Sequence, residues 1–573
     1  MGIYNDETQS KKRGGNRAAL FVYAMEGLEN MAFVSSAVSL VLYFNDYMNL
    51  SIPESAVVLT NVMGTTFILT FLGGYISDTY LTRFKTCVLF GIIEMLGFVL
   101  LAIQAHFPHL RPISCKGVAP SLAHQCEVAD STQNAIFYTA LYLIAFGSSG
   151  VKAALTPLGA DQFDETDADE AVQLSSFFNW FMYSLTIGSM IGVTFVIWVS
   201  LNIGWDWSFG VCAVAILFSV IFLSMGKSLY RNNALNGSPL IRILQVFVVA
   251  IKNRNLPTPE RVEEFHEIHD KEASQSEILE RTDQFRFLDR AAIIRSTDDR
   301  TSRNTDLWSL CTVTQIEETK ILVRMLPIII STIFMNTCVA QLQTFSIQQS
   351  NTLDTNILGF KVPGPSVPVI PLLFMFVLIP IYEHIFVPFA RKITGIPTGI
   401  THLQRIGVGL VLSAISMAVA GIVETRRQRV AIQHNMVDSV GPLPMSVLWL
   451  GFQYAIFGGA DMFTLAGFLE FFHAESSARM KSFGTAISWW PIGFGYFLSS
   501  VLVEVVNKVS GGWLASNNLN RGKLNYFYWL LSGLSLLNFG FYLVCACHYR
   551  YKKVDVKQVE DPVFQGKMEW TRL

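Results

Sequence analysis

The sequence predicts an all-α membrane protein of about twelve transmembrane helices, arranged as two six-helix halves joined by a long cytoplasmic linker. Three observations predict it. Of 573 residues, 51% are hydrophobic and only 15% charged, whereas roughly a quarter of a soluble chain is charged. Apolar runs long enough to cross a bilayer, about 20 residues each, recur about twelve times along the chain. They fall into two sets of six, separated by a polar stretch from about Gly226 to Lys320, which is the outline of a two-half transporter.

The first six runs centre near residues 31, 65, 95, 145, 188 and 217, and the second six near 335, 378, 412, 455, 493 and 537. The amino-terminal segment 1–17, MGIYNDETQSKKRGGNR, is polar for too long to be the leading region of a cleaved signal. The run from Ala18 to Phe44 is therefore expected to stay as span 1. MGIYND also lacks the Ser or Thr that a myristoylation signal carries at its sixth position. The expected organisation is a tail over 1–17, a half over 18–226, a linker over 227–322, a second half over 323–548 and a tail over 549–573. A net charge of −2 with no basic stripe of interleaved aromatics excludes a nucleic-acid partner. Cys87, Cys212 and Cys338 lie in apolar runs and read as small buried hydrophobes. Cys115 and Cys126 share one hydrophilic loop, where a disulfide is open to them if the loop is extracytoplasmic. Cys545 and Cys547 close the last span, as packing residues or as palmitoylation sites.

Orientation follows from Lys and Arg near the span ends. Lys11, Lys12, Arg13 and Arg17 precede span 1, Arg83 and Lys85 follow span 2, and Arg391 and Lys392 follow span 8. Arg479 and Lys481 follow span 10, and Arg550, Lys552 and Lys553 follow span 12. All fall on one side, so both termini and the linker are expected to be cytoplasmic. Two segments vote otherwise: ADQFDETDADE after span 4 is acidic on the inner side, and ETRRQRV after span 9 is basic on the outer side. Within the linker, LIRILQVFVVAIKNR has the pattern of an amphipathic helix lying on the membrane.

Span 1 contains MEGLEN, in which Glu26 and Glu29 stand one turn apart and Asn30 follows Glu26 by four, so all three share a helix face. A charge at mid-membrane costs at least about 2.5 kcal/mol, and such residues usually line a working cavity. At the junction of spans 2 and 3, GGYISDTYLTRFKT, Gly73 and Gly74 permit close helix approach. Asp78, Arg83 and Lys85 in the same stretch can clasp neighbouring helix ends in one conformation and release them in another. Lys152, late in span 4, is either a snorkelling end residue or a cavity cation for an anion or a carboxylate. Position alone leaves both open.

Larger motifs carry a resemblance. The stretches GVKAALTPLGADQFD, FFNWFMYSLTIGS, PFARKITGIPTGITHLQRIGVGL, GFLEFF and LNYFYWLLSGLSLLNF resemble signatures of the proton-coupled oligopeptide transporter family, in its plant nitrate and peptide transporter branch. The Gly73–Thr86 stretch resembles the loop after the second helix of the major facilitator superfamily, whose fold the resemblance implies. In that family Glu-x-x-Glu on the first helix is followed by Arg or Lys and is tied to proton coupling. Here Glu26 and Glu29 are kept and Asn30 replaces the cation. Two cavity glutamates repel when both are ionised, which suits a pair that carries protons. The resemblance leaves Lys152 as their counter-charge. Glu470 of GFLEFF is implied in binding or gating, with a capping or snorkelling acid as the alternative. Asp461 of GGADMF, where relatives often have Glu, is a candidate for the same cavity. Trp489 and Trp490 offer apolar walls to a ligand or an interface belt. Span 7 supplies Asn336, Gln341, Gln343 and Gln348 but no histidine. Val339 stands where the resemblance places a histidine in a nitrate carrier.

No phosphate-binding loop, metal-spaced His/Cys cluster or nucleophile elbow is present, so the chain reads as neither an enzyme nor a cofactor protein. The expected function is proton-coupled transport of a small anion across the lipid bilayer. The resemblance offers nitrate, di- and tripeptides, glucosinolates, abscisic acid and gibberellins. FRFLDRAAI, CTVTQIEETK and AQLQTFSIQQS resemble the subgroup with hormone and nitrate carriers. A hormone-like carboxylate is the leading substrate, with Lys152, Asn30, Val339, Gln341, Glu470 and Trp490 as binding positions. Nitrate, peptides and a transporter-like receptor are the alternatives. The plasma membrane is the expected residence with the tonoplast as alternative, and the linker is an expected target of kinases.

Overall fold

The computed structural model describes residues 13–50, 52–113, 129–164, 167–231, 239–256, 265–266, 279, 281–293, 308–357, 360–361, 366–396, 398–437, 442–477, 480–514 and 519–552. Twelve helices are long and apolar enough to cross a membrane: α1 Gly15–Phe44, α2 Val57–Thr79, α3 Arg83–His106, α4 Ser131–Ala160, α5 Asp169–Asn202, α6 Trp205–Ser228, α7 Val313–Ser350, α8 Val369–Thr394, α9 His402–Gln433, α10 Val447–Glu475, α11 Lys481–Ser510 and α12 Leu524–His548. Each matches one of the apolar runs. The largest displacement is at α7, which begins at Val313 rather than at 323. Its first turns carry Glu317, Glu318, Lys320 and Arg324, whose charges resemble linker composition but are paired, Lys320 and Arg324 with Glu317 along the helix and Glu318 with Arg242.

Local chemistry sets several ends. Thr82 caps α3 by accepting from the Lys85 N–H. Asp130 with Gln133 caps α4, and Thr401 with Gln404 caps α9, in each case satisfying backbone donors that a helix start leaves bare. Short strands Leu353–Asp354 and Leu443–Ser446 pair in parallel between the ends of α7 and α10.

The chain forms two compact units. The first comprises Met1–Asn236, Pro327–His473 and Ser482–Cys547. Small residues permit its closest contacts: a β-carbon on Gly73 would stand 2.7 Å from the Gly150 Cα, and one on Gly188 would collide with the Gly27 carbonyl. In a solvent of hydrocarbon, such backbone approach is a main source of helix association. Cys87, Cys212 and Cys338 are buried, as expected. Several of the charges that voted against the orientation rule are engaged. Asp161 pairs with Arg83, Glu170 pairs with Arg231 at 2.7 Å, Arg427 is fully buried against Glu424 at 2.7 Å, and Arg426 stacks on Trp449.

The second unit comprises Gly237–Leu326, Ala474–Lys481 and His548–Leu573. The expected linker helix is present as Pro239–Lys252. Val246, Val249 and Ala250 pack with Phe265, Leu288, Ala291 and Ile316, while Ile241, Leu244, Val248 and Ile251 are exposed at the three- and four-residue spacing of one helical stripe. Below it, the buried Lys320 ammonium lies 2.6 Å from Asp289 and 2.8 Å from Glu317, fastening the linker to the start of α7. Cys115 and Cys126, and much of the stretch expected to meet kinases, lie outside the described residues.

Candidate functional site

Glu26, Glu29 and Asn30 are all buried on α1. Gly27 between them packs on α5, with Ser184 Oγ 3.1 Å from where its β-carbon would lie, so the glutamates turn towards α4 rather than α5. Asn30 Nδ2 donates to Glu26 Oε1 at 2.6 Å. Lys152 Nζ donates to Glu29 Oε2 at 3.0 Å, and Ser148 Oγ donates to Glu29 Oε1 at 2.6 Å. Lys152 is 3% exposed, too enclosed for a snorkelling end residue, and its partner is the carboxylate.

Aromatic rings close the rest of its surface. The ammonium lies 4.3 Å from the centroid of Phe33 and 5.6 Å from that of Trp489. Phe67 meets both rings, edge-on to Phe33 and stacked on Trp489. Lys152 thus sits where α1, α2, α4 and α11 converge, with one carboxylate and an aromatic wall around it. A cation over ring faces is stabilised by their quadrupoles, the more so when desolvated. Of the two tryptophans, Trp489 faces the ammonium. Trp490, the expected binding residue, packs instead on Phe71 and Phe494. Adjacent side chains on a helix point about 100° apart, and Trp489 stands between the two helical pieces of α11, Lys481–Ser488 and Trp490–Ser510.

The clasp expected at Gly73–Thr86 is closed. A β-carbon on Gly74 would stand 2.7 Å from the Ala486 Cβ and 2.9 Å from the Ser482 carbonyl oxygen. Asp78 Oδ2 accepts from the Phe483 N–H at 2.9 Å. Arg83 pairs with Asp161, reaches Asp78 at 3.7 Å and donates to Ser482 Oγ at 2.7 Å. Lys85 stands apart from this set: it is exposed, and its backbone N–H caps the helix.

Glu470 belongs to a second bridge. Arg405 Nη1 donates to Glu470 at 3.3 Å and Arg405 Nη2 to Asn179 Oδ1 at 2.6 Å. Asn179 Nδ2 donates to Glu383 at 2.6 Å, and Ser176 also donates to Glu383. His402 Nδ1 lies 3.6 Å from Glu470. With its carboxylate committed to Arg405, Glu470 holds α5, α8, α9 and α10 together in this conformation, which favours gating over binding. Asp461 is elsewhere, lining a small cavity of mixed character with Thr332, Asn336, Thr464 and Ser488 on its polar part and Met335, Leu465 and Phe468 on its apolar part. Gln341 Nε2 donates to Ser499 Oγ at 2.7 Å, so its donor serves α11. Val339 is half-buried and offers no polar atom.

Sequence reasoning overlooked Arg405, Asn179, Glu383 and Glu94. Each is a polar side chain in an apolar helix, and the cost argument that singled out Glu26 would have found Glu94 and Arg405 as well. The meeting of Asn179 with Glu383 has no such signal, because it depends on how four helices pack.

Residues 84–519 match a family model described as POT family. Among relatives from Arabidopsis thaliana, Protein NRT1/ PTR FAMILY 4.5 is 42% identical over 94% of this chain and 94% of its own. Protein NRT1/ PTR FAMILY 4.6 is 41% identical over 94% and 95%. Among solved structures, an auto-inhibited POT family peptide transporter superposes with a TM-score of 0.59 at 17% identity, covering 95% of this chain and 99% of that one. A POT family transporter in complex with 5-aminolevulinic acid gives 0.58 at 12% identity, over 94% and 98%. The family resemblance and the twelve-helix fold read from the motifs are borne out, and the relatives are transporters rather than enzymes.

Proposed function

This chain belongs to the POT family of membrane transporters, and we propose that within it the chain carries a small organic anion with a hydrophobic body, of the chemistry of abscisic acid or a gibberellin, coupled to protons. The observation that carries the reading is the buried Lys152 ammonium between the Glu29 carboxylate and the rings of Phe33 and Trp489. A carboxylate substrate can replace Glu29 on the ammonium while its apolar body meets the rings, the pairing of one polar anchor with apolar walls that ligand sites favour. Glu29, displaced, is left with Ser148 alone and takes a proton. When that proton leaves on the opposite side, Glu29 reclaims Lys152 and the substrate is expelled. Transport follows if these exchanges differ in free energy between the outward and inward arrangements.

The test is side-by-side uptake of abscisic acid, gibberellin, nitrate and a dipeptide into expressing cells under an inward proton gradient. Uptake of a hormone carboxylate with little nitrate or dipeptide is the expected result. Nitrate uptake without either hormone overturns the substrate. Ligand binding without counterflow in proteoliposomes makes the chain a receptor.

Three substitutions refine this reading. Glu29→Gln, and more weakly Glu26→Gln, is expected to reduce gradient-driven uptake by about a hundredfold or more, the usual scale for losing one proton-transfer group, while exchange at equal pH persists. An unchanged pH dependence in both single variants and the double removes the pair from coupling. Val339→His places an ionisable donor where the half-buried valine has none and is expected to raise nitrate uptake relative to abscisic acid. An unchanged ratio shows that this position does not read the substrate.

A further inference from the structure

A groove runs between α3 and α6 at the ends of these helices that lie away from the basic Arg83. It encloses about 630 Å³, within the roughly 300–1,000 Å³ typical of small-molecule sites. Small residues make the space: Ala102, Gly210 and Ala213 are its more buried lining, while Ile103, Trp207 and Val214 stand exposed along it. A β-carbon on Gly210 would find nothing within 4 Å. The lining runs from Val99 to Phe107 and from Asp206 to Val214, about 12 Å of each helix at 1.5 Å per residue. That length fits within one leaflet of a hydrocarbon core about 30 Å thick.

The groove has one polar end. His106 Nδ1 lies 3.0 Å from Asp206 Oδ2, and Phe107 meets the imidazole edge-on with ring centroids 5.1 Å apart. His106 falls in the last turn of α3 and Asp206 in the first turn of α6, so each stands at the helix end whose dipole favours its charge. This accounts for the pair but not for the space beside it. Whether or not the imidazole is protonated, the pair carries no net positive charge, and among the described residues no Lys or Arg lines the groove. A phosphate headgroup is therefore offered no uncompensated cation. A carboxylate accepts several hydrogen bonds, so Asp206 keeps capacity for a neutral hydroxyl.

An uncharged lipid with one hydroxyl and an apolar body confined to one leaflet meets these terms. A transmembrane partner helix does not, because it presents about 20 residues and the groove ends after about two helical turns. Between a flexible acyl chain and a fused ring system, the rings lose less conformational freedom when held. We propose that the groove between α3 and α6 binds a free membrane sterol, with its hydroxyl donating to Asp206 and its rings lying along Gly210 and Ala213 beside Trp207. The site stands apart from Lys152 and does not depend on which substrate is carried.

The experiment uses the full-length protein in phosphatidylcholine nanodiscs that contain a diazirine-bearing cholesterol analogue. After illumination, peptide mass spectrometry is expected to find the label on the Val99–Phe107 and Asp206–Val214 segments. Unlabelled cholesterol is expected to displace the probe, and cholestenone, with a ketone in place of the hydroxyl, to do so at least about tenfold less well, the scale of one hydrogen bond to a charged group. Gly210→Phe fills open space rather than colliding with a neighbour and is expected to abolish labelling of both segments. Asp206→Ala is expected to keep part of the labelling and to lose the preference for hydroxyl over ketone. Labelling that Gly210→Phe leaves unchanged, or that diacylglycerol displaces as well as cholesterol does, overturns the proposal and leaves ordinary boundary lipid in the groove. Should Gly210→Phe not assemble, the two competitors decide on the parent alone, and equal displacement by cholesterol and cholestenone overturns the assignment.

Discussion

Lys152→Ala is expected to abolish binding and uptake of the anionic substrate, while Lys152→Arg retains part of both. Removing one member of a buried ion pair costs about 3–5 kcal/mol, an amount that corresponds to roughly a hundredfold to several thousandfold in an equilibrium constant. In this protein the loss is twofold in kind. Under the proposed exchange the substrate forfeits its cation, because Asn30 beside the two glutamates carries no charge. Glu29, paired at 3.0 Å in the parent, is left buried with Ser148 as its remaining donor. Arginine keeps the charge but spreads it over a planar fork, which must fit between Phe33 and Trp489, so partial recovery is the expected ceiling. Equilibrium binding of labelled abscisic acid to purified variants checks this, with thermal unfolding measured alongside. Equal affinity in the alanine variant and the parent would make Lys152 a structural residue.

Arg83→Ala is expected to open the clasp at the basic ends of α2, α3 and α11. Arg83 joins Asp161, Asp78 and Ser482, and its loss leaves both carboxylates without their cation. At about 3–5 kcal/mol for a buried ion network, the ratio of closed to open falls by roughly two to nearly four orders of magnitude. Spin labels at Tyr80→Cys and Lys392→Cys, both exposed positions, report the change as a longer distance distribution in the Arg83→Ala background. Gradient-driven uptake falls with it, since a carrier that stays open on one side cannot alternate. An unchanged distribution would assign the closed state to the Arg405 bridge instead.

Much of this was legible in the sequence, for one physical reason. In a membrane the cost of misplacing a charge exceeds most other local preferences, so Glu26, Glu29 and Lys152 stood out by interrupting apolar runs, whereas Asp78 and Arg83 stood out by their pattern at the junction of spans 2 and 3. Helix positions were legible by the same token, since length and hydropathy alone mark a span. What escaped depended on tertiary register. Neighbouring tryptophans differ by about 100° around a helix, and only the way α11 packs decides that Trp489 rather than Trp490 meets the ammonium. The role of Glu470 turned on Arg405, a residue inside a recognised motif whose partner lies 65 positions away in sequence. The start of α7 was misplaced because charges that pair along a helix and charges that solvate a linker have the same composition.

The break at Trp489 has a mechanical consequence. The Asp78-binding amide of Phe483 and the hydroxyl of Ser482 sit on the short piece before it, and Trp489 itself forms the joint. The longer piece, Trp490–Ser510, is about 30 Å of helix at 1.5 Å per residue, close to a bilayer's hydrocarbon thickness. Letting go of α2 therefore asks only a stub of two turns to swing, while the rod beyond it stays matched to the lipid. Motion of that size displaces few acyl chains, so the rate of letting go should depend little on how thick the host membrane is. The same swing would carry the Trp489 ring off the Lys152 ammonium, tying the departure of the aromatic wall to the opening of the path beneath it.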